Sequence, residues 1–178
     1  MADSSFLVRK LARLRVPLGF VSGMAALWLA HPSAASLALG SAVALLGESL
    51  RIWAAGHLNK SREVTASGPY RWFAHPLYVG SSVMGIGLAI AGGSAVVAAL
   101  VVTYLGVTIT AAIRSEEAFL RGKFGDAYDQ YRRAGVVDDA RAFSVAQAMA
   151  NKEYRAVIGL TVAVAVLVLK ATYNGAFR

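Results

Sequence analysis

From Val16 to Gly47 the chain runs 32 residues without a charge, interrupted at His31-Pro32-Ser33. One bilayer crossing needs about 20 apolar residues, so this stretch predicts two short spans joined by a tight turn. The second span continues through Glu48 and Arg51 to about Gly56. A polar connection follows from His57 to His75. Pro76 to Ile113 then gives 38 uncharged residues with Gly92-Gly93-Ser94 in the middle. That pattern predicts a second helical hairpin, its turn on the side opposite the polar connection. Arg114 to Arg155 is polar, and within it Phe119, Leu120, Phe124, Tyr128 and Tyr131 recur at the spacing of one helix face. Gly122 and Gly125 interrupt that stripe and predict a kink or two short helices. Phe143, Val145, Ala146 and Met149 mark a short amphipathic helix lying along the interface. Ala156 to Leu169 is a last, shorter apolar run, and its flanking Tyr154, Arg155, Lys170 and Tyr173 can snorkel to or anchor at the two interfaces.

The expected architecture is therefore all-α, an integral membrane bundle of about five transmembrane helices with short cytoplasmic amphipathic helices. Composition agrees: 57% of residues are hydrophobic and 16% charged, with a mean hydropathy of +0.53, against about 45–50% and about 25% for soluble domains. The net charge of +8 would suit a nucleic-acid partner, but its distribution says otherwise. The N-terminal tail holds 4 Lys and Arg, Arg51 to Arg71 another 4, and Arg114 to Arg155 another 8, leaving Lys170 and Arg178 on the other side. Under the positive-inside rule this places the N-terminus and both polar segments in the cytoplasm and the C-terminus outside. No nucleic acid is expected as partner. Arg9, Lys10, Arg13 and Arg15 before an apolar run resemble a signal peptide, yet Ala30-His31-Pro32-Ser33 is a poor cleavage site, so the first span is expected to be retained. The absence of cysteine excludes disulfides, a thiolate nucleophile and Cys-ligated metal.

The chemistry-bearing residues gather around Gly68–Gly80. X-Pro bonds at Gly68 and His75 force extended or turn geometry, leaving a helix free to begin at Pro76. His75 then sits at a helix mouth, where backbone N–H groups and the dipole favour an anionic ligand group, and Tyr78 projects from much the same side. Glu116 and Glu117 enter at the other end of the same hairpin, so they should lie near His75; a solvated helix start is the reading of adjacent glutamates that spacing alone favours. Glu48 and Arg51, three apart, share a face inside the bundle, as a functional pair or a structural ion pair. Gly80, Ser81, Ser82, Gly85 and Gly87 fit close helix packing, or a ligand passing over Gly80. His31, His57 and His75 are too dispersed for a metal site, and no dinucleotide, Walker or nucleophile-elbow motif is present.

Gly68-Pro69-Tyr70-Arg71, His75-Pro76-x-Tyr78-x-Gly80 and then Glu116-Glu117…Leu120…Phe124-Gly125…Tyr128…Tyr131 resemble the isoprenylcysteine carboxyl methyltransferase and phospholipid methyltransferase superfamily. A Gly-Glu-x-x-Arg-x-x-Ala element around Glu48 and Arg51 is similar to one in many bacterial relatives. The resemblance runs over a motif core at 47–133 within a single domain of residues 1–178, whose C-terminal interfacial helix and last span occupy 141–172. It implies a membrane enzyme of the bacterial inner membrane that uses S-adenosylmethionine to methylate a lipophilic or prenylated acceptor drawn from among membrane lipids. It also implies cofactor contacts from Gly68, Pro69, Tyr70, His75, Pro76, Tyr78, Gly80, Glu116, Glu117, Tyr128, Tyr131 and Arg132. Arg51, His57 and Asn59 are expected to face the acceptor, with Glu117 and Arg51 as the catalytic groups and no metal. Ala74 stands where the family usually has arginine, so the resemblance implies either a substitute, for which Arg71 is the candidate, or a changed or lost activity. Two alternatives remain open: an NADPH-dependent reductase of a sterol-like or isoprenoid-like lipid on the same fold, and a non-catalytic membrane adaptor.

Overall fold

The computed structural model describes the backbone of residues 2–60, 62–134 and 141–177, and all of their side chains except those of residues 2–13, 15, 16 and 132–134. Seven α-helices follow one another, with no strand among the described residues: α1 (Ala2–Leu29), α2 (Ala34–His57), α3 (Pro76–Ala91), α4 (Ala95–Phe124), α5 (Asp126–Ala134), α6 (Val145–Ala150) and α7 (Tyr154–Tyr173). A single 3-10 turn (Gly68–Arg71) lies between α2 and α3. The helices α2, α4 and α7 are long and apolar enough to cross a bilayer; Pro17–Leu29 of α1 and all of α3 are shorter apolar helices packed with them. α3 has 16 residues, about 24 Å of helix at 1.5 Å per residue, somewhat less than the ~30 Å hydrocarbon core. Phe20 and Met24 are each 72% exposed and Trp28 83%. Outward apolar side chains of this size suit lipid and make the chain an integral membrane protein.

The turns fall where proline, glycine and serine interrupt the apolar runs. Ser33 caps α2, its hydroxyl accepting from the Ser36 N–H while the Ser33 N–H donates to the Ser36 hydroxyl at 2.9 Å. The His31 N–H donates to the Gly92 carbonyl at 2.7 Å, so the two hairpin turns meet at one end of the bundle. There Lys170 of α7 donates to the α1 carbonyls of Leu27 and Trp28, satisfying a helix end that hydrocarbon cannot. At the opposite end α4 runs unbroken through Arg114 to Phe124, and Gly125, at φ 51°, turns the chain into α5.

α2 and α3 lie antiparallel in backbone contact. A Cβ on Gly40 would stand 2.5 Å from the Gly87 carbonyl oxygen, and one on Gly87 2.6 Å from that of Gly40. The same holds for Gly47 and Gly80, each 2.7 Å from the other's carbonyl oxygen. Seven-residue glycine spacing on both helices thus makes a seam in which main chain packs on main chain, the close approach that drives association in lipid. α1 packs on α4, and α7 closes against α2 and α3.

The seam predicts an asymmetry between glycines. Gly47→Ala forces its methyl to 2.3 Å from the Met84 amide nitrogen and should destabilise by at least about 1–3 kcal/mol. Gly106→Ala, with nothing within 4 Å, should leave stability unchanged or raised, as read by thermal unfolding in one detergent.

Candidate functional site

Pro76 opens α3 at its first position and His75 is the N-cap residue. Pro76 has no N–H, and the amides of Tyr78 and Val79 donate to the His75 carbonyl at 3.0 and 3.1 Å. What α3 presents at its mouth is therefore chiefly side chains. The hairpin turn at Gly92–Ser94 sends α4 back alongside α3, and this brings Glu116 and Glu117 to His75. His75 Nε2 lies 3.3 Å from Glu117 Oε1, and Nδ1 lies 3.9 Å from Glu116 Oε2. The His75 and Tyr78 rings are 5.9 Å apart. Glu117 also faces Arg121 at 3.8 Å, and Arg121 reaches Asp129 of α5 at 3.3 Å. The two carboxylates differ: the Glu116 side chain is 40% exposed and the Glu117 side chain 19%. One faces solvent while its neighbour stays with the imidazole, as adjacent helix positions require.

The 3-10 turn is held from behind by the aromatic stripe. Tyr128 and Tyr131 are buried with Ala66, and the Tyr131 hydroxyl donates to the Tyr70 carbonyl at 2.7 Å. Burial pushes the Tyr70 phenol well above its ordinary value, and the neighbouring charges of Glu116, Tyr131, Glu153 and Tyr78 push the same way. Gly68, at φ 57°, lies face-on to the His57 ring, and His57 Nδ1 is 3.2 Å from the Ser67 hydroxyl. His57 is buried under the turn, and Asn59 tethers the same loop through its backbone N–H, which donates to Thr65 Oγ1 at 3.2 Å. Pro69 and Pro76 are fully buried, and Gly80 is taken up by the seam, against Gly47 and the Arg51 side chain. Arg71 is half-buried in the 3-10 turn. The Arg132 side chain lies outside the described residues.

Arg51 has more partners than its spacing suggested. Its Nε is 3.5 Å from Glu48 and 2.8 Å from Glu153, and Nη1 donates to the Ser81 hydroxyl and, at 3.5 Å, to the Leu77 carbonyl. Glu153 was not among the residues picked from sequence, and Ser81 was read there only as a small residue of helix packing. A carboxylate at the polar edge of the last apolar run, among basic neighbours, was the available signal for Glu153. The segment that delivers it is clasped to the end of α2. Asn151 donates to the Ala55 and Leu58 carbonyls, each at 2.8 Å, and Gln147 to that of Leu58 at 2.8 Å. These bonds satisfy carbonyls that a helix end leaves open.

Beyond Ser81, an apolar cavity of about 350 Å³ lies between α1, α3, α4 and α7, lined among others by Ser22, Ser81, Met84, Tyr104 and Leu167. Its size suits a small hydrophobic ligand.

This arrangement, a proline-started helix facing a paired carboxylate across a membrane hairpin, lies within the segment that defines a family. The chain belongs to the phospholipid methyltransferase family, whose model matches residues 36–127. Among curated proteins it is similar to a protein-S-isoprenylcysteine O-methyltransferase of Schizosaccharomyces pombe, 33% identical over 93 residues, which are 52% of this chain and 39% of that protein. It is also similar to the nickel-cobalt-cadmium resistance protein NccN of Alcaligenes xylosoxydans xylosoxydans, 34% identical over 103 residues, 57% of this chain and 48% of the relative. The chain thus spans less than half the length of either. No solved structure matches it.

The Tyr70 environment fixes a sign at alkaline pH. The folded phenol holds its proton above the ordinary value of 10.0, so its contribution to stability is constant below about pH 10 and is lost as pH rises through that value, where the unfolded chain ionises. Denaturant unfolding from pH 9 to 11 should show wild type losing stability more steeply than Tyr70→Phe; equal slopes would contradict the buried phenol.

Proposed function

We propose that the protein transfers a methyl group from S-adenosylmethionine to a lipophilic acceptor, an isoprenylcysteine-like carboxylate or a lipid, at the cytoplasmic membrane face. The observation that carries this reading is the convergence of His75, Tyr78, Glu116 and Glu117 at the polar end of the α3–α4 hairpin, inside the family-matched residues. The donor set fits the group. Carboxylates and an imidazole suit a cationic sulfonium that also carries an amino-acid head, and the tyrosines offer aromatic faces to a cation and to a base. When bound, S-adenosylmethionine supplies an electrophilic methyl on a positively charged sulfur, and transfer disperses that charge.

The chain's own task is alignment and exclusion of water. Glu117, with His75 on one oxygen and Arg121 facing the other, is fixed in orientation and would hold the donor's cationic side. Glu116, more exposed, would hold the same ligand together with it. Tyr128 and Tyr131 act from behind, by holding Gly68–Arg71 in place. A carboxylate acceptor needs no base, whereas an ammonium acceptor must first lose a proton, for which the Glu117 carboxylate is the candidate. The apolar cavity reaching Ser81 supports an acceptor with a hydrocarbon tail that enters from the bilayer.

The test is calorimetric titration of the full chain in detergent with S-adenosylmethionine. Each charge-assisted contact is worth about 1.5–3 kcal/mol, so the double variant His75→Ala, Glu117→Ala should bind the donor about a hundredfold more weakly or worse. Unchanged binding in that variant would overturn the site. Binding of NADPH in its place would replace methyl transfer with the reductase reading.

A further inference from the structure

We infer that Glu153, in the C-terminal segment beyond the family-matched residues 36–127, is a positioning residue for the donor site and acts through Arg51. This rests on the proposed methyl-donor reading. Arg51 is the point where three parts of the chain converge. Its stem lies on Gly80, 2.6 Å from where a Cβ would stand. Its Nη1 reaches the Leu77 carbonyl and the Ser81 hydroxyl, and Ser81 in turn donates to the Leu77 carbonyl at 2.8 Å. Leu77 sits between Pro76 and Tyr78, so Arg51 grips the first turn of α3, which carries the donor-facing side chains.

Two carboxylates compete for that one guanidinium, and they are not equivalent. Glu48 is on the same helix as Arg51, three residues before it, at 3.5 Å; Glu153 approaches from the other side at 2.8 Å. Both side chains are more than nine-tenths buried. A neutral pair of Arg51 and Glu48 alone would be the less costly buried arrangement. The second carboxylate adds a buried charge, and what it gains is direction: it draws Nε toward the α6–α7 corner and leaves Nη1 for α3. That corner is set rigidly. Asn151 and Gln147 bind the α2 carbonyls, and Lys152, at φ 62°, takes the left-handed conformation that turns the chain into Glu153.

The variants that test this are Glu153→Gln, Glu153→Asp and, as a control at the other end of α7, where Lys170 holds the Leu27 and Trp28 carbonyls and no partner of Arg51, Lys170→Met. Each is purified as the full chain in detergent, and two readouts are taken: melting temperature without ligand, and the dissociation constant for S-adenosylmethionine. Glu153→Gln leaves Arg51 with Glu48, so its melting temperature should hold or rise while donor binding weakens about tenfold or more, the scale of a small misplacement at a site. Glu153→Asp should recover part of that affinity, and Lys170→Met should melt earlier yet bind the donor as wild type does. Adding Arg51→Met to Glu153→Gln should cost no more affinity than Arg51→Met alone, because both changes act along one path. Should Glu153→Gln fail to fold, the proposal is decided on Glu153→Asp. Donor affinity in the Glu153 variants within twofold of a wild type that binds overturns it; a wild type that binds no donor overturns the methyl-transfer reading and this inference with it.

Discussion

Everything at the polar end depends on how closely α2 and α3 approach. Lipid tails are as apolar as leucine, so two helices in a bilayer gain little by burying large side chains against each other; they gain by letting backbones touch. Gly40, Gly47, Gly80 and Gly87 do this at both ends of the pair. The consequence reaches beyond stability. With α3 seated on α2, the Arg51 side chain has no room to extend past Gly80 and must lie along it, and its guanidinium falls on the Leu77–Ser81 turn. The same seating fixes where α3 begins, and the Gly92–Ser94 turn then fixes where α4 ends. The His75–Glu117 contact is the product of those two constraints.

The electrostatics of the polar end follow from that geometry. Charges with several partners run in two chains. One passes from His75 through Glu117 and Arg121 to Asp129 and ties the hairpin to α5. The other joins Glu48, Arg51 and Glu153 and ties α2 to the last helix. The first is partly open to solvent and suits a ligand that arrives from water. The second is buried and suits a structural or positioning role, because a buried charge without partners is costly. Between them sits the 3-10 turn, its back held by Tyr131 and His57.

Much of this was legible in the chain. Hairpin turns at His31–Ser33 and Gly92–Ser94 followed from uncharged runs too long for one span, and the start of α3 followed from His75-Pro76. The meeting of His75 with Glu116 and Glu117 followed from topology, since the two ends of a hairpin share a face. What spacing could not show were pairings between residues far apart in sequence. Glu153 meets Arg51 from 102 positions away, Lys170 caps α1 from 142 or 143, and Asn151 and Gln147 serve carbonyls of α2. Each depends on the packing of α7 and α6, which no local period encodes. Spacing also left open whether Gly80 served a ligand or a neighbouring helix, and the structure seats it against α2. The stripe from Phe119 to Tyr131 marked helix with a break at Gly122 or Gly125; the structure breaks it at Gly125 and joins the part before it to the fourth span, because Arg, Glu, Ala, Leu and Lys are good helix formers that carry the helix past the end of the apolar pattern.

A structure of the full chain with S-adenosylhomocysteine, the product form of the proposed donor, in a lipid nanodisc tests the central claim most directly. The account predicts density for the ligand bounded by His75, Tyr78 and Glu117, with α2 and α3 still in backbone contact at Gly47 and Gly80. Ligand density elsewhere, or His75 and Glu117 found on opposite sides of the membrane, would contradict it.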